Sequence, residues 1–434
     1  MISKRTIAFF FLIFPLFLHW FLPDGRWEML FTTFGIGRFK YSWIAIFYLL
    51  YLLYSKGRKG NRGTAALNFV FLVSLTICGL SLVVSNGGNY SFSLFLSAIP
   101  FYIAPLVLIN HPVSPESAKV FKPFIYSAYG LNVLVYIMAV FFGKTLISVD
   151  LEDIGNNFFY RPSTFVGGPN ASSFFLFLVG AFIAEIYIKK SGIKFLFSFF
   201  VLGLIIAGAC RGALVAQLFY MFVAFFKNIG KIPWQGKIVL VLTVLAFFYV
   251  AQRINLFEDV IQRNEEQVDK NDITSGREVR VLFVLNNTLR DSPLIGVGHG
   301  RVFSSSKDLL YQYNEKNFTY SNYHGAPHNV WALVFAEYGY IGFALFIIGV
   351  ICVLSLLNYH NNLSYVLVIS IFVLMNTESI LIQDDFWPFL WIIFCYASVK
   401  PPKKQRSIIH KHDDGHNIQQ IKYENNLSRV AQCD

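Results

Sequence analysis

Apolar stretches about as long as a bilayer is thick recur along nearly the whole chain, and nothing else in the sequence restricts the fold as strongly. A spanning helix needs about 20 apolar residues, with a range near 17–25. Stretches of that kind run approximately over 6–22, 39–54, 65–85, 91–109, 120–143, 170–188, 193–209, 212–226, 237–253, 329–357, 363–380 and 386–399. The expectation is an all-α integral membrane protein of about twelve transmembrane helices. Composition agrees: of 434 residues only 14% are charged, where a soluble domain carries about a quarter. Phenylalanine runs such as Phe9-Phe10-Phe11 and Phe199-Phe200 do not alternate with polar residues, which argues against a barrel.

The net charge is +11, and its placement says more than its size. Basic clusters lie at Lys4-Arg5, 56–62, 189–194, 227–237 and 400–406, each beside an apolar run. With the N-terminus inside, twelve spans put all five clusters on the cytoplasmic side, as the positive-inside rule requires. This placement also argues against a nucleic-acid partner. The five cysteines are scattered, with neither a disulfide framework nor a zinc spacing. Residues 1–20 have a basic head and an apolar body but no small-residue cleavage site, so they read as a retained first helix.

The expected organisation is helices 1–9 over 1–253, a large periplasmic loop over 254–328, helices 10–12 over 329–400, and a basic cytoplasmic tail over 401–434. The loop is mixed in charge, with 8 Lys and Arg against 10 Asp and Glu. Within it, residues 277–289 carry apolar positions at helical spacing. Asp291-Ser292-Pro293 stops that pattern, and Gly296-Val297-Gly298-His299-Gly300 reads as a flexible turn. No repeat of 20–50 residues and no inverted halves are visible, which argues modestly against repeat-built transporters.

Candidate functional residues gather at the outer linkers. His328 ends the long loop and Asn329 follows it. On a regular helix, at about 100° per residue, His328, Gly339 and Gly342 share one face, and small residues there let a neighbouring helix approach. A neutral imidazole can take a proton from a hydroxyl; an interfacial histidine bonded to water or backbone is the plainer alternative. Arg211 lies between two apolar runs with almost no loop around it. Either it snorkels, or its guanidinium and a helix N-terminus together suit an anion such as a diphosphate. Arg277 and Arg280 face lipid headgroups or a ligand from the amphipathic stretch, or are simply solvated, and Arg161 is similar. Asp384-Asp385 in the last outer turn suggest a divalent ion or a base, or a solvated pair. Arginines suit a polyanionic ligand and a histidine suits hydroxyl activation.

Four segments resemble the O-antigen ligase and polymerase family of bacterial glycan transferases. His328-Asn329, nine residues, then Gly339-Tyr340-Ile341-Gly342 matches the family's His-Asn-x9-Gly-x-x-Gly pattern. Ala209-Cys210-Arg211-Gly212-Ala213 is similar to its Ser-Arg-Gly-Ala segment, with cysteine where serine is usual. Ser275-Gly276-Arg277 followed by Asp291-Ser292-Pro293-Leu294-Ile295-Gly296-Val297-Gly298 resembles its loop start, and Gly167-Gly168-Pro169-Asn170 matches more weakly. The resemblance implies a GT-C-like twelve-helix fold in the bacterial inner membrane, with both termini cytoplasmic. It implies inverting, metal-independent transfer of a glycan from undecaprenyl diphosphate, without a cofactor. His328 would activate the acceptor, while Arg211 and Arg277 would hold the diphosphate. The acceptor would be a growing glycan (polymerase) or lipid A-core (ligase), with polymerase slightly favoured and a chain-length regulator as a further partner. A transporter or flippase of lipid-linked sugars is the rival of another class.

Overall fold

The computed structural model describes residues 20, 62–84, 102, 105–106, 108–110, 115–142, 152–153, 160–161, 164–166, 168–208, 210–228, 281, 285, 292–298, 329–377 and 386–398. Among the described residues the regular elements are helices, one two-residue strand pair and an isolated bridge at Thr164. The helices are α1 (Arg62–Val84), α2 (Pro115–Phe142), α3 (Pro169–Ile186), α4 (Ser191–Ala207), α5 (Arg211–Asn228), α6 (Val330–Leu356), α7 (Asn362–Ile369), a π-turn (Ser370–Leu374), α8 (Met375–Thr377) and α9 (Trp387–Ala397). Strands β1 (Glu152–Asp153) and β2 (Tyr160–Arg161) pair antiparallel, Glu152 opposite Arg161. Eight of the twelve expected spans coincide with these helices, α7, the π-turn and α8 counting as one. The stretches 6–22, 39–54, 91–109 and 237–253 lie wholly or mostly outside the described residues. Among the described residues four helices, α1, α2, α3 and α6, are long and apolar enough to cross a membrane. The chain is a multi-pass membrane protein on this ground.

Packing follows from side chains that satisfy backbone groups where no water is available. On α2, Tyr129 and Tyr136 are seven residues apart, two turns of helix. The Tyr136 hydroxyl donates to the Leu204 carbonyl of α4 at 2.9 Å, and the Tyr129 hydroxyl to the Leu176 carbonyl of α3 at 3.4 Å. Buried tyrosines need such partners. Both hydroxyls sit against glycines, Tyr129 against Gly180 and Tyr136 against Gly208, and a Cβ at Gly208 would collide with the Tyr136 hydroxyl. Gly208→Ala is therefore expected to lower stability by about 1–3 kcal/mol, the usual cost of overpacking. A thermal melt of the purified protein reads the effect, and an unchanged melting point would count against the contact.

The helices sort into two ends. At one, the Glu185 carboxylate at the foot of α3 accepts hydrogen bonds from Lys194 of α4 (2.9 Å), Tyr220 of α5 (2.8 Å) and Asn362 of α7 (3.0 Å). There Lys227 of α5 bonds the Tyr359 carbonyl and lies 4.2 Å above the Tyr365 ring. Asn358 and Asn361, between α6 and α7, bond the Ala397 and Tyr396 carbonyls at the end of α9. Lys122 of α2 reaches the ring of Tyr187, just past α3. So α3, α5, α6 and α9 finish at this end, where α4 and α7 begin. The opposite end then holds the starts of α3, α5, α6 and α9. All six described lysines, 119, 122, 189, 190, 194 and 227, belong to the first end, whereas Arg211 opens α5 at the second.

Candidate functional site

The second end is built from the segments that carry the sequence motifs. Thr164 and Ser172 are fully buried and bonded to each other: the Thr164 amide donates to the Ser172 hydroxyl at 3.0 Å, and the two hydroxyls lie 3.0 Å apart. This ties the loop after β2 to the first turn of α3, three residues beyond Arg161. Pro169 occupies the first turn of α3, where its missing N–H costs nothing. Across from it, α4 closes at Gly208, next to Ser173 and Tyr136. Cys210 is buried, and its carbonyl accepts the Leu214 amide at 3.0 Å, the first hydrogen bond of α5. Arg211 is thus the first residue of α5, with an exposed side chain at the positive end of that helix.

Asn329 caps α6. Its side-chain oxygen accepts the Ala332 amide at 3.0 Å, a cap worth about 1 kcal/mol. Its amide nitrogen donates to the Asn376 side chain at 3.3 Å, and Asn376 in turn donates to the Phe372 carbonyl at 2.8 Å. The start of α6 is therefore tied to α8, just past the π-turn. Asn376 drew no attention in the sequence, because an asparagine within an apolar run carries no signature of its own.

The regular helix assumed after His328 does not hold. α6 breaks at Gly339, whose φ of 64° and ψ of −165° are non-helical and essentially open to glycine alone. Counting 100° per residue through this point is invalid, so a face shared by His328, Gly339 and Gly342 does not follow. Among the described residues, what meets Gly339 most closely is a loop and not a helix. A Cβ there would lie 2.5 Å from the Leu294 carbonyl carbon and 2.6 Å from the Ile295 and Gly296 nitrogens. At Gly342 a Cβ would meet Tyr338, in the preceding turn of the same helix.

What fills the break is residues 292–298. In an unbroken helix the amides of Tyr340 and Ile341 would donate to the carbonyls of Ala336 and Glu337. Instead Tyr340 donates to Pro293 (2.9 Å) and Ile341 to Leu294 (3.1 Å), while Ala336 accepts from Val297 (3.0 Å) and Glu337 from Gly298 (2.9 Å). Two helical bonds are exchanged for four bonds to the loop, so the freed groups of Ala336, Glu337, Tyr340 and Ile341 are all paired. Gly296 and Gly298 have φ of 72° and 101°, and a Cβ on Gly296 would strike the Glu337–Tyr338 peptide. The turn expected to be flexible at Gly296–Gly298 is thus hydrogen-bonded onto a helix. Val281 and Leu285, four apart in the expected amphipathic stretch, are helical.

Beside the break, Glu337 is 2% exposed and lies within electrostatic range of Cys78, Tyr102 and Tyr338. Sequence reasoning passed over this carboxylate, although an acidic residue within an apolar run was its visible signal. Between α1, α6, the π-turn and α9 lies a largely apolar, open-mouthed hollow. Its lining includes Phe71, Tyr102, Tyr338, Phe346 and Trp391. No three His, Cys, Asp or Glu gather among the described residues. His328, Arg277, Arg280, Asp384 and Asp385 lie outside the described residues, as does the side chain of Arg161.

One family comparison bears on these segments. Residues 192–347 match the family model described as O-antigen ligase. The resemblance read from the motifs is borne out over that stretch, which contains Arg211, Arg277, Arg280, His328, Asn329, Gly339 and Gly342. The O-antigen ligase match covers both partners of the exchange at Gly339, the 292–298 segment and α6 down to Ile347. Arg161, Asp384 and Asp385 fall outside it. No curated protein matches the chain.

Proposed function

We propose that this protein transfers a glycan from undecaprenyl diphosphate to a sugar hydroxyl on the outer face of the bacterial inner membrane, polymerising repeat units of an O-antigen or other surface polysaccharide. The observation that carries the reading is that Arg211, which opens α5, and Asn329, which caps the start of α6, lie at the bundle end away from the described lysines. Lysine-rich ends are cytoplasmic, which supports an outward-facing site, a periplasmic loop over 254–328 and cytoplasmic termini. In this reading the acceptor oxygen attacks the anomeric carbon with inversion and its proton passes to the His328 imidazole. The bond from that carbon to the diphosphate oxygen breaks, and undecaprenyl diphosphate leaves with the electron pair. Arg211 and Arg277 stabilise its growing charge. Arg280, Arg161, Asn329, Asp384 and Asp385 line the substrate path, and no metal takes part. The apolar hollow beside Tyr338 suits an isoprenoid chain.

Ligation to lipid A-core is the second reading, favoured by the description of the matching family model, O-antigen ligase. The glycan phenotype of a deletion strain separates the two. Single repeat units on the lipid core are the expected result for a polymerase. Carrier-linked polymer beside bare core would identify a ligase, and unexported single units would point to a flippase instead.

A further inference from the structure

The geometry points to the 292–298 segment as a backbone clip that sets the direction of the first half of α6, with Gly296 and Gly339 as positioning residues for the reaction. This inference rests on the reading of His328 as the group that activates the acceptor, because Asn329, the cap of that half-helix, directly follows His328. A helix broken at a residue with φ of 64° has lost the hydrogen bonds that would hold its two halves at a fixed angle. Here the four bonds to Pro293, Leu294, Val297 and Gly298 supply that constraint from outside. Two of them grip the end of the first half, at Ala336 and Glu337, and two the start of the second, at Tyr340 and Ile341. Val297 also packs on Leu333 and Ala336 of the first half. The far end of that half is fixed through Asn329 and Asn376, so the half-helix is held at both ends.

The clip needs glycine on both sides of one contact. A side chain at Gly296 would displace the Glu337–Tyr338 peptide, and one at Gly339 would displace the Leu294–Gly296 backbone. Either change tilts the half-helix while leaving the arginine at the start of α5 untouched. Misplacing a reacting group by about 1 Å can cost 10²-fold in rate.

The test uses the purified full chain in lipid nanodiscs with a lipid-linked glycan donor, comparing Gly296→Ala with His328→Ala. For Gly296→Ala the expected result is a kcat about 10²-fold lower, an unchanged KM for the donor, and a flattened acid limb in the pH dependence of kcat. A structural role alone would not alter that limb. Wild-type kcat in Gly296→Ala beside an inactive His328→Ala would overturn the clip and leave the function standing; a fully active His328→Ala would overturn the function itself. Should Gly296→Ala not fold, a second variant decides. Val297→Cys with Ala336→Cys should cross-link on oxidation and keep turning over. Failure to cross-link, or activity lost on oxidation and regained on reduction, would show that the clip is absent or must open.

Discussion

His328→Ala is expected to abolish long polysaccharide while the protein level and the export of single repeat units stay unchanged. Removing a general base costs about 10²–10⁴-fold in rate, enough to stop chain growth within a cell's generation. The sign with pH follows from the same role. Only the neutral imidazole accepts a proton, so wild-type activity should fall as acid protonates it, and the variant's residual activity should lack that fall. The glycan ladder on a gel is the readout, with immunoblotting for the protein. A normal ladder would sink the assignment of His328 as the base. The prediction is sharper for the structure of α6: its first turn is capped by Asn329 and tied to Asn376.

Arg211→Lys should reduce transfer by about 10- to 100-fold, the worth of one charge-assisted hydrogen bond of about 1.5–3 kcal/mol. Lysine keeps the charge but loses the planar fork that grips two phosphate oxygens. The position of Arg211 makes this a clean test. It opens α5, where the helix dipole already favours an anion, and its side chain is exposed rather than part of the buried packing below. The fold should therefore survive, and the loss should appear in activity and donor affinity, measured with the lipid-linked donor. Wild-type activity would identify a residue that merely snorkels.

Much of the helical frame was legible in the chain. Apolar length alone anticipated α1 through α6, because lipid leaves a buried backbone few alternatives to the helix. The lysines marked one end for the same kind of reason: charge placement is local and needs no contacts. The candidate site was legible only as a set of motifs. His-Asn and Arg-Gly-Ala pointed to chemistry by residue type, and the likeness to the O-antigen ligase family holds over 192–347. The helical wheel drawn from His328 through Gly342 failed, because it treated Gly339 as a small residue on a face.

Sequence by itself determined that this is a multi-pass helical membrane protein, that its lysines flank apolar runs, and which residue types stand at the outer linkers. These depend on properties of single segments: length, hydropathy and charge. Only the tertiary structure decided that Gly296 and Gly339, 43 positions apart, are the two sides of one contact. Glycine signals freedom in one dimension. Whether that freedom is spent on a flexible turn, a helix crossing or a hydrogen-bonded break depends on which backbone arrives opposite it, and that is a property of the folded chain.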